Sequence, residues 1–284
     1  MKVLVMGATG MIGSTTFRVL SEQHDWKVYG TIRSESTKQF FLPEIATRLI
    51  ANIDVNNYDA LVDVFSKIHP DVVINCIGAT KHKVGGNDPL IAIPLNAMLP
   101  HRLTVLCAAV NARLVHVSTD CVFSGRRGSY TENDFPDSDD IYGRSKALGE
   151  VDYSNVITLR TSTIGHELQS SYGLLNWFFS QQGSCKGYKN AFFSGLPTVE
   201  FARVIRDIVI PRLDLHGLYH VAGPTIAKYD LLKLIAMIYE KSIEIIPDHD
   251  FNIDRSLDAD RFFAATGYQS AEWPELIRIM HAYK

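Results

Sequence analysis

The sequence predicts an α/β fold with a doubly wound parallel sheet, and three observations support this prediction. Short β-rich segments alternate with longer helical segments through the first half of the chain, as in folds built from βαβ units. The predicted strands are nearly continuous apolar runs, which is typical of strands that are covered on both faces of a sheet. A glycine-rich loop connects the first predicted strand to the first predicted helix.

The elements follow in a regular order as far as residue 165. Strands are predicted over 2–7, 26–33, 48–54, 71–78, 113–123 and 155–165, and helices over 11–23, 57–69, 89–111 and 141–154. The order is then less regular, with helices predicted over 174–182, 198–210, 227–241 and 272–284, and strands over 185–193, 217–221 and 243–247. We therefore expect a larger domain over 1–159 and a smaller α+β lobe over 160–284. Part of this lobe, around 198–224, is expected to pack back on the larger domain.

Composition excludes several classes of protein. The 284 residues include 46% hydrophobic and 21% charged residues, which is ordinary for a globular protein. A formal net charge of −3 gives no overall attraction to nucleic acid or to an anionic membrane, and neither is an expected partner. The four cysteines are widely spaced, and no metal site is predicted. No apolar run has the length of a signal-peptide core or a membrane span, so a cytoplasmic location is expected.

The loop "GATGMIGST" places Gly7, Gly10 and Gly13 between a strand and a helix. Glycines allow the backbone to approach a phosphate closely, and a helix N-terminus provides free N–H groups and the positive end of a dipole. No lysine followed by serine or threonine comes after the last glycine, so the loop is not a P-loop. The loop, with Thr9, Met11 and Ile12 between its glycines, therefore predicts dinucleotide binding in a Rossmann domain.

The choice of dinucleotide is predicted by the end of the second strand, where the adenosine ribose is recognised. The sequence there is "TIRSES", with Arg33 and Ser34 at the recognition positions. Because a guanidinium binds a 2′-phosphate well, NADP(H) is favoured. The alternative is NAD(H), with Arg33 in solvent and Glu35 on the ribose.

Other cofactor contacts are expected at the ends of the third and fourth strands. Asp54 and Val55 are placed near the adenine, although Asp54 could instead cap the next helix. Cys76, Gly78 and Ala79 lie at the end of the fourth strand and are assigned to the same cofactor site.

Tyr142 and Lys146 are four residues apart in a predicted helix and therefore lie on one face. A free phenol has a pKa of about 10, and a nearby ammonium is expected to lower that pKa toward the working range. Lysine can also hydrogen-bond ribose hydroxyls. Ser118, Thr119 and Asp120 end the fifth strand, at the edge where such sheets bind ligands. A hydroxyl there can bind the carbonyl group that is reduced.

These residues resemble the extended short-chain dehydrogenase/reductases, and most closely the dTDP-4-dehydrorhamnose reductase group. "GATGMIG", "VSTDCVFSG", "YGRSKALGE", "LPTVEFARVI" and "DRSLDADRF" carry the resemblance, which covers the whole chain. It implies NADPH-dependent reduction of the C4 keto group of a nucleotide-diphosphate 4-keto-6-deoxy sugar in deoxysugar biosynthesis. It also implies that Tyr142 donates a proton to the C4 oxygen, that Lys146 is its electrostatic partner, and that Thr119 binds the carbonyl.

The resemblance also suggests substrate contacts. These are Asp120, Cys121, Thr163, Thr198 and Arg255. The last of them is expected to hold the diphosphate in a bidentate way.

The chain departs from the group's pattern in two of these places. Cys121 replaces a tyrosine, and Thr163 replaces a tryptophan that lies near the substrate in that group. We therefore expect a sugar other than dehydrorhamnose. The basic segment with Lys81, His82 and Lys83 either meets the pyrophosphate or lies in solvent.

Several alternatives remain open. A 4,6-dehydratase is disfavoured because Cys121, rather than glutamate, follows Asp120. A sugar-nucleotide epimerase that retains NAD is harder to exclude, and a non-catalytic NADP-binding regulatory subunit is the alternative outside enzymes. Trp177, Phe178 and Phe179 either line the sugar pocket or close the small lobe. A homodimer is plausible for the fold.

Overall fold

The structure is a computed structural model that describes residues 1–80, 87–169 and 171–284. The strands are β1 (Lys2–Met6), β2 (Lys27–Thr31), β3 (Leu49–Ile50), β4 (Val72–Asn75), β5 (Arg113–Thr119), β6 (Val156–Thr161), β7 (Thr163–Ile164), β8 (Ser184–Phe193), β9 (Leu196–Pro197), β10 (Gly217–His220), β11 (Ile226–Ala227) and β12 (Glu244–Asp254).

Most of the α-helices lie between these strands, and two follow the last strand. They are α1 (Met11–Ser21), α2 (Pro43–Ala46), α3 (Tyr58–Ile68), α4 (Pro89–Ala92), α5 (Leu99–Ala109), α6 (Ile141–Leu148), α7 (Leu174–Ser180), α8 (Thr198–Val204), α9 (Lys228–Ile238), α10 (Asp260–Thr266) and α11 (Trp273–Ala282). Short 3₁₀ turns cover Glu35–Phe40 and Asp120–Val122, and π-helical segments cover Ile93–Met98 and Ile205–Val209.

The main sheet has seven strands in the order β10-β6-β5-β4-β1-β2-β3, and every neighbouring pair is parallel. The prediction of a doubly wound parallel Rossmann-like sheet is therefore confirmed. The strand order reverses beside β1, which pairs with β2 on one side and β4 on the other. Ligands of open α/β sheets bind at the carboxyl ends of the strands near such a reversal.

The smaller lobe contributes to the main sheet. Strand β10 pairs with β6, with Gly217 opposite Ile157, and α8 packs against α1, where Thr198 Oγ1 lies 3.2 Å from Thr15 Oγ1. Strand β6 itself crosses the expected boundary between residues 159 and 160. The division into 1–159 and 160–284, with a segment around 198–224 that packs back on the larger domain, stays a prediction.

A separate three-stranded sheet forms the rest of the lobe, in the order β11-β8-β12. Strand β12 is longer than the predicted 243–247 and extends to Asp254, with a bulge between Asp248 and Asn252. Its sequence "EIIPDHDFNID" contains a proline and four acidic residues, as expected for a bulged strand at a sheet edge rather than a central one. That composition is the reason the pattern predicted only its first half.

Several predicted elements end earlier than expected. The predicted strand 113–123 ends at Thr119, where the chain turns into the 3₁₀ segment, and the predicted helix 141–154 ends at Leu148, before Gly149. The segment Pro89–Ala109 is the one helix among the described residues that is long and apolar enough to span a membrane. Half of it is buried, and Leu99, Leu103 and Leu106 pack into the core beside β1 and β4, so we interpret it as a core helix.

Candidate active site

A cavity of about 630 Å³ opens at the carboxyl ends of the main-sheet strands, between the sheet and the small lobe. It is the place that the reversal of strand order predicts for a ligand. From the predicted cofactor and catalytic residues the lining includes Gly10, Met11, Ile12, Cys76, Gly78, Thr119, Tyr142 and Lys146. From the predicted substrate residues it includes Asp120, Cys121, Thr163 and Arg255.

The glycine loop brings backbone, rather than side chains, to one wall of this cavity. A Cβ atom on Gly13 would lie 2.1 Å from the carbonyl oxygen of Gly7, so the first turn of α1 packs on the end of β1 only because residue 13 has no side chain. Gly10 caps α1 without a side-chain hydrogen bond, and the first turn carries no acidic residue. The free N–H groups and the positive helix end therefore suit a pyrophosphate.

The residues predicted to read the adenosine lie outside the lining of the cavity. Arg33 and Ser34 are exposed after β2, and the Ser34 hydroxyl lies 2.8 Å from the Ser36 hydroxyl. Asp54 is exposed and accepts hydrogen bonds from Asn56, while Asn57 caps α3. The alternative that Asp54 caps this helix is therefore wrong, because the cap lies three residues later.

The end of β4 is fixed by a residue that the sequence analysis did not select. Asn96 accepts a hydrogen bond from the Ala79 amide at 2.8 Å and donates to the Ala79 carbonyl at 3.1 Å. The same amide donates to Ser145 Oγ on α6 at 3.0 Å. Asn96 is fully buried. Its side chain therefore links the segment after β4, which contains Cys76 and Gly78, to α6, which carries the predicted catalytic residues. This link depends on the π-helical segment Ile93–Met98, which the sequence pattern did not predict.

Tyr142 is held against the end of β5. A Cβ atom on Gly143 would lie 2.1 Å from the Cys121 carbonyl oxygen, so glycine at this position allows α6 to approach closely. Burial raises the pKa of the Tyr142 phenol above its usual value, Cys121, Asp120 and Asp140 raise it further, and a hydrogen bond with Thr119 lowers it. Thr119 also donates to Asp120 Oδ1 at 3.0 Å and accepts from the Cys121 amide at 3.1 Å.

Lys146 is almost completely buried, and its ammonium donates to the Val117 carbonyl at 2.8 Å. Burial lowers the pKa of Lys146 to about 8, while Glu150 and Cys76 act in the opposite direction. The expectation that Lys146 lowers the pKa of Tyr142 is wrong for the protein without ligands. Burial and nearby negative groups dominate at the phenol, so Tyr142 is protonated at neutral pH and can act as an acid.

Cys76 is the second cysteine that lines the cavity. Cys76 lines the cofactor side, and burial raises the pKa of this thiol to about 12, against the effects of a hydrogen bond with Thr16 and of Lys146. The thiol is therefore uncharged at neutral pH, and its contribution to the cavity is that of a small apolar group.

The predicted substrate residues divide into two groups. Arg255 donates to the Phe123 carbonyl at 2.7 Å, and another of its nitrogens lies 3.8 Å from Cys121 Sγ. Its side chain therefore forms part of the cavity wall beside Cys121, which lies near Tyr142. Thr198 is instead buried between α8 and α1 and does not line this cavity. The reason is the return of α8 to the main domain, which turns Thr198 toward Thr15.

The aromatic segment in α7 closes the small lobe. Phe178 is completely buried in the core, and Phe179 packs against His166 and Tyr239, with ring centroids 6.5 and 5.0 Å apart. Neither these two residues nor Trp177 line the cavity. Of the two alternatives, packing of the lobe is the one that the structure supports.

The wall contributed by the small lobe contains side chains that sequence reasoning missed. They are Tyr172, Tyr188, Phe192, Lys228 and Phe251. Tyr188 and Phe251 come from the paired strands β8 and β12, with ring centroids 4.9 Å apart. No local pattern marks these residues, because strands from different parts of the chain bring them together. Lys81, His82 and Lys83 lie outside the described residues.

The family of the chain is established by comparison. Residues 1–254 match the family model described as "RmlD substrate binding domain". This chain belongs to that family. The resemblance that the sequence motifs predicted is confirmed, and the match includes the glycine loop, the end of β5, the Tyr142–Lys146 pair and most of the small lobe.

Two curated relatives match about half of the chain. A probable low-salt glycan biosynthesis reductase, Agl14, from Haloferax volcanii is 33% identical over 151 residues, which cover 53% of this chain and 48% of that protein. The methionine adenosyltransferase 2 subunit beta of Bos taurus is 27% identical over 149 residues, which cover 52% of this chain and 41% of that protein. The matches thus span less than half the length of each relative.

Solved structures of the same fold cover the whole chain. The dTDP-4-dehydrorhamnose reductase of Bacillus anthracis, determined in complex with NADP, aligns with a TM-score of 0.81 over 100% of this chain and 99% of that one, at 20% identity. At this identity the likeness establishes the fold. The chain therefore has the fold of that enzyme along its full length.

Proposed function

We propose that this protein is an NADPH-dependent reductase of the C4 keto group of a nucleotide-diphosphate 4-keto-6-deoxy sugar. The observation that carries the proposal is that Thr119, Tyr142 and Lys146 line the same cavity as the uncapped N-terminus of α1. A proton donor and a dinucleotide site thus share one space. The family to which the chain belongs, and the reductase among its curated relatives, support this assignment.

The residues present fit a dinucleotide. The Gly7–Gly13 contact leaves the backbone of the loop open to a pyrophosphate, and Gly10 lines the cavity. We expect Lys146 to bind the ribose and the exposed Arg33 to pair with a 2′-phosphate, which favours NADP(H) over NAD(H). The chemistry that the nicotinamide supplies when bound is hydride donation.

The protein residues handle the proton and the oxygen. Negative charge develops on the C4 oxygen as the carbonyl is reduced, and Tyr142 gives that oxygen its proton. Because the pKa of Tyr142 is raised, the phenol keeps its proton until the C4 oxygen accepts it. Thr119 aligns the carbonyl by a hydrogen bond, and the Lys146 ammonium stabilises the phenolate that remains.

The substrate is recognised from the opposite wall. We expect Arg255, which lines the cavity, to bind the diphosphate, because a guanidinium binds phosphate in a bidentate way. Asp120, Cys121 and Thr163 line the same cavity as Thr119, Tyr142 and Lys146, and we expect them to contact the sugar. Thr163 is small, so we expect this side to accept a bulkier sugar substituent than a tryptophan would allow.

We place the enzyme in the cytoplasm, where nucleotide sugars are made, with no nucleic acid or membrane as a partner. A homodimer is part of the proposal, because Leu90, Val105 and Leu148 are 84%, 62% and 67% exposed on neighbouring helices and such residues favour association. Light scattering of the purified protein tests this part, and a monomer at micromolar concentration would contradict it.

The test of the activity is NADPH oxidation with a panel of nucleotide-diphosphate 4-keto-6-deoxy sugars, followed by absorbance. We expect consumption of NADPH with at least one sugar and formation of the C4 alcohol. An epimerase would instead convert the sugar without net oxidation of the cofactor. Measured cofactor binding without turnover of any sugar would favour a regulatory subunit, the role in the name of the bovine relative.

A further inference from the structure

A buried ion pair lies directly behind the catalytic residues. Glu150 accepts hydrogen bonds from Arg160 Nε at 2.7 Å and from another nitrogen of the same guanidinium at 2.6 Å. The side chains of Arg160 and Glu150 are only 3% and 9% exposed. The carboxylate also accepts a hydrogen bond from Ser118 Oγ at 2.7 Å. This serine immediately precedes Thr119, so the ion pair reaches the end of β5.

The guanidinium is held from its other side. Arg160 NH1 lies 3.2 Å from His220 Nε2. His220 Nδ1 lies 3.1 Å from the Tyr130 carbonyl and 3.0 Å from the Asp258 carbonyl. Since both carbonyls accept, Nδ1 carries the proton and Nε2 accepts from the arginine. Burial and Arg160 lower the pKa of His220 to about 4, which keeps this histidine neutral.

Stability alone does not explain such an arrangement. The cost of desolvating two charges commonly offsets their attraction, so a buried ion pair is weak evidence for a stabilising role. Here the Lys146 ammonium is bonded to Val117 and the Glu150 carboxylate to Ser118, so the two charges are held by consecutive residues of β5.

Among the groups that surround Lys146, Glu150 is the one that provides a compensating negative charge. On β5, Val117 provides a neutral carbonyl, and His116 is buried with a pKa far below its usual value, chiefly through burial. After β4, Cys76 holds its proton because its pKa is raised. On α6 itself, Tyr142 is also protonated. Asp120 lies beside Tyr142, and Arg160 is bonded to Glu150 and His220. Glu150 therefore remains the anion that acts on Lys146.

We propose that Glu150 is a positioning residue that keeps Lys146 protonated and holds the Ser118–Thr119 end of β5 in place. Arg160 is bonded to Glu150 through two of its nitrogens and is itself held by His220. This inference rests on the proposed function, because it gives a role to the charge of Lys146 in catalysis. Its own content is a coupling between two side chains, which can be measured whether or not the substrate is known.

The direct test is the titration of Lys146 in the whole protein, followed by the ¹³Cε chemical shift and assigned with Lys146→Met. The folded pKa of Lys146 is about 8, so the ammonium is lost as the pH rises through that value. Glu150→Gln removes the group that raises this pKa, so the midpoint moves to lower pH by about one unit. At pH 8 the protonated fraction then falls about fivefold, from about one half to about one tenth.

Matched variants separate this effect from a general disturbance. Glu275→Gln removes the carboxylate of an exposed pair with Arg278 and should leave the Lys146 titration unchanged. Glu150→Asp should restore most of the midpoint. If Glu150→Gln does not fold, because Arg160 is left unpaired, the double variant Glu150→Gln/Arg160→Met removes both charges. An unchanged Lys146 midpoint in either folded variant would overturn the proposal.

The pH profile of activity gives the second readout. In Glu150→Gln the alkaline loss of kcat/KM should begin about one pH unit lower than in the wild-type protein, with the rate at low pH much less affected. A uniform loss at every pH would assign Glu150 a structural role only and overturn the proposal. If the wild-type protein reduces none of the sugars, the proposed function fails, whereas the shift of the Lys146 titration is still measured.

Discussion

The reactive end of β5 and the loop after β2 are both predicted to contact the same dinucleotide, yet they are built differently. Thr119 and Lys146 are buried, and Tyr142 hydrogen-bonds Thr119 between neighbouring anionic groups. Arg33 and Ser34 lie in solvent, outside the cavity lining. One region is fixed by packing before any ligand binds, and the other presents the charge of Arg33, which forms no ion pair within the described part of the chain.

The difference shows where alignment is needed. A proton donor has to lie within hydrogen-bond reach of the reacting oxygen, so its position has to be fixed by the surrounding packing. A residue that distinguishes a 2′-phosphate from a hydroxyl needs only charge and reach, and an exposed guanidinium costs no desolvation in the free protein. Changes at the buried end should therefore affect turnover, whereas changes at the exposed loop should affect the choice of cofactor.

The largest effect is expected from Tyr142→Phe. This change removes only the hydroxyl that donates the proton, so kcat should fall about 10²–10⁴-fold, the usual contribution of general acid catalysis. The Kd for NADPH, measured by fluorescence, should change little, since phenylalanine keeps the aromatic ring in the same place on α6. A variant with near-normal kcat, under conditions where the chemical step limits the rate, would make the Tyr142–Lys146 pair an accident of helix spacing.

A smaller and opposite pattern is expected from Arg33→Ala. A hydrogen bond to a charged group contributes roughly 1.5–3 kcal/mol, so NADPH affinity should fall about 10- to 150-fold while NADH affinity changes little. The kcat at saturating cofactor should be preserved. Lys38→Ala, next to the same segment and paired with Glu35, is the matched control for loss of a nearby positive charge. Equal losses for the two cofactors would remove Arg33 from the 2′-phosphate site.

Arg255→Ala tests the same comparison in the substrate lobe. There too, a residue that recognises a ligand should affect binding rather than turnover. One nitrogen of Arg255 is already bonded to Phe123, so we expect the lower end of the same range, about a tenfold rise in KM for the sugar nucleotide. The Kd for NADPH should not change. A loss of cofactor binding without a change in KM would place Arg255 at the dinucleotide instead.

The smallest effect is expected from Thr198→Val, which keeps the shape of a buried side chain and removes its hydroxyl. The hydrogen bond with Thr15 should be worth about 1 kcal/mol in the free energy of unfolding, measured by urea denaturation. KM for the sugar nucleotide should remain unchanged. A large rise in KM with unchanged stability would return Thr198 to the substrate site, from which the structure separates it.

The sequence by itself determined the features that depend on local spacing. The alternation of apolar strands and helices predicted the parallel sheet, and the glycines predicted an open loop before the first helix, where Gly13 lies against Gly7. The four-residue spacing predicted one helix face for Tyr142 and Lys146, which line one cavity. These features follow from helix and strand periodicity and from the size of a missing side chain, which the order of residues fixes directly.

The tertiary structure alone decided the features that depend on burial and on distant partners. It raised the pKa of Tyr142 although a lysine follows one turn later, and it bonded that lysine to Val117. It also joined β10 to the main sheet, which brought His220 to Arg160 across 60 residues. A pKa and the strength of an ion pair depend on how far the rest of the chain excludes water from the charged groups. No local pattern in the sequence determines that exclusion.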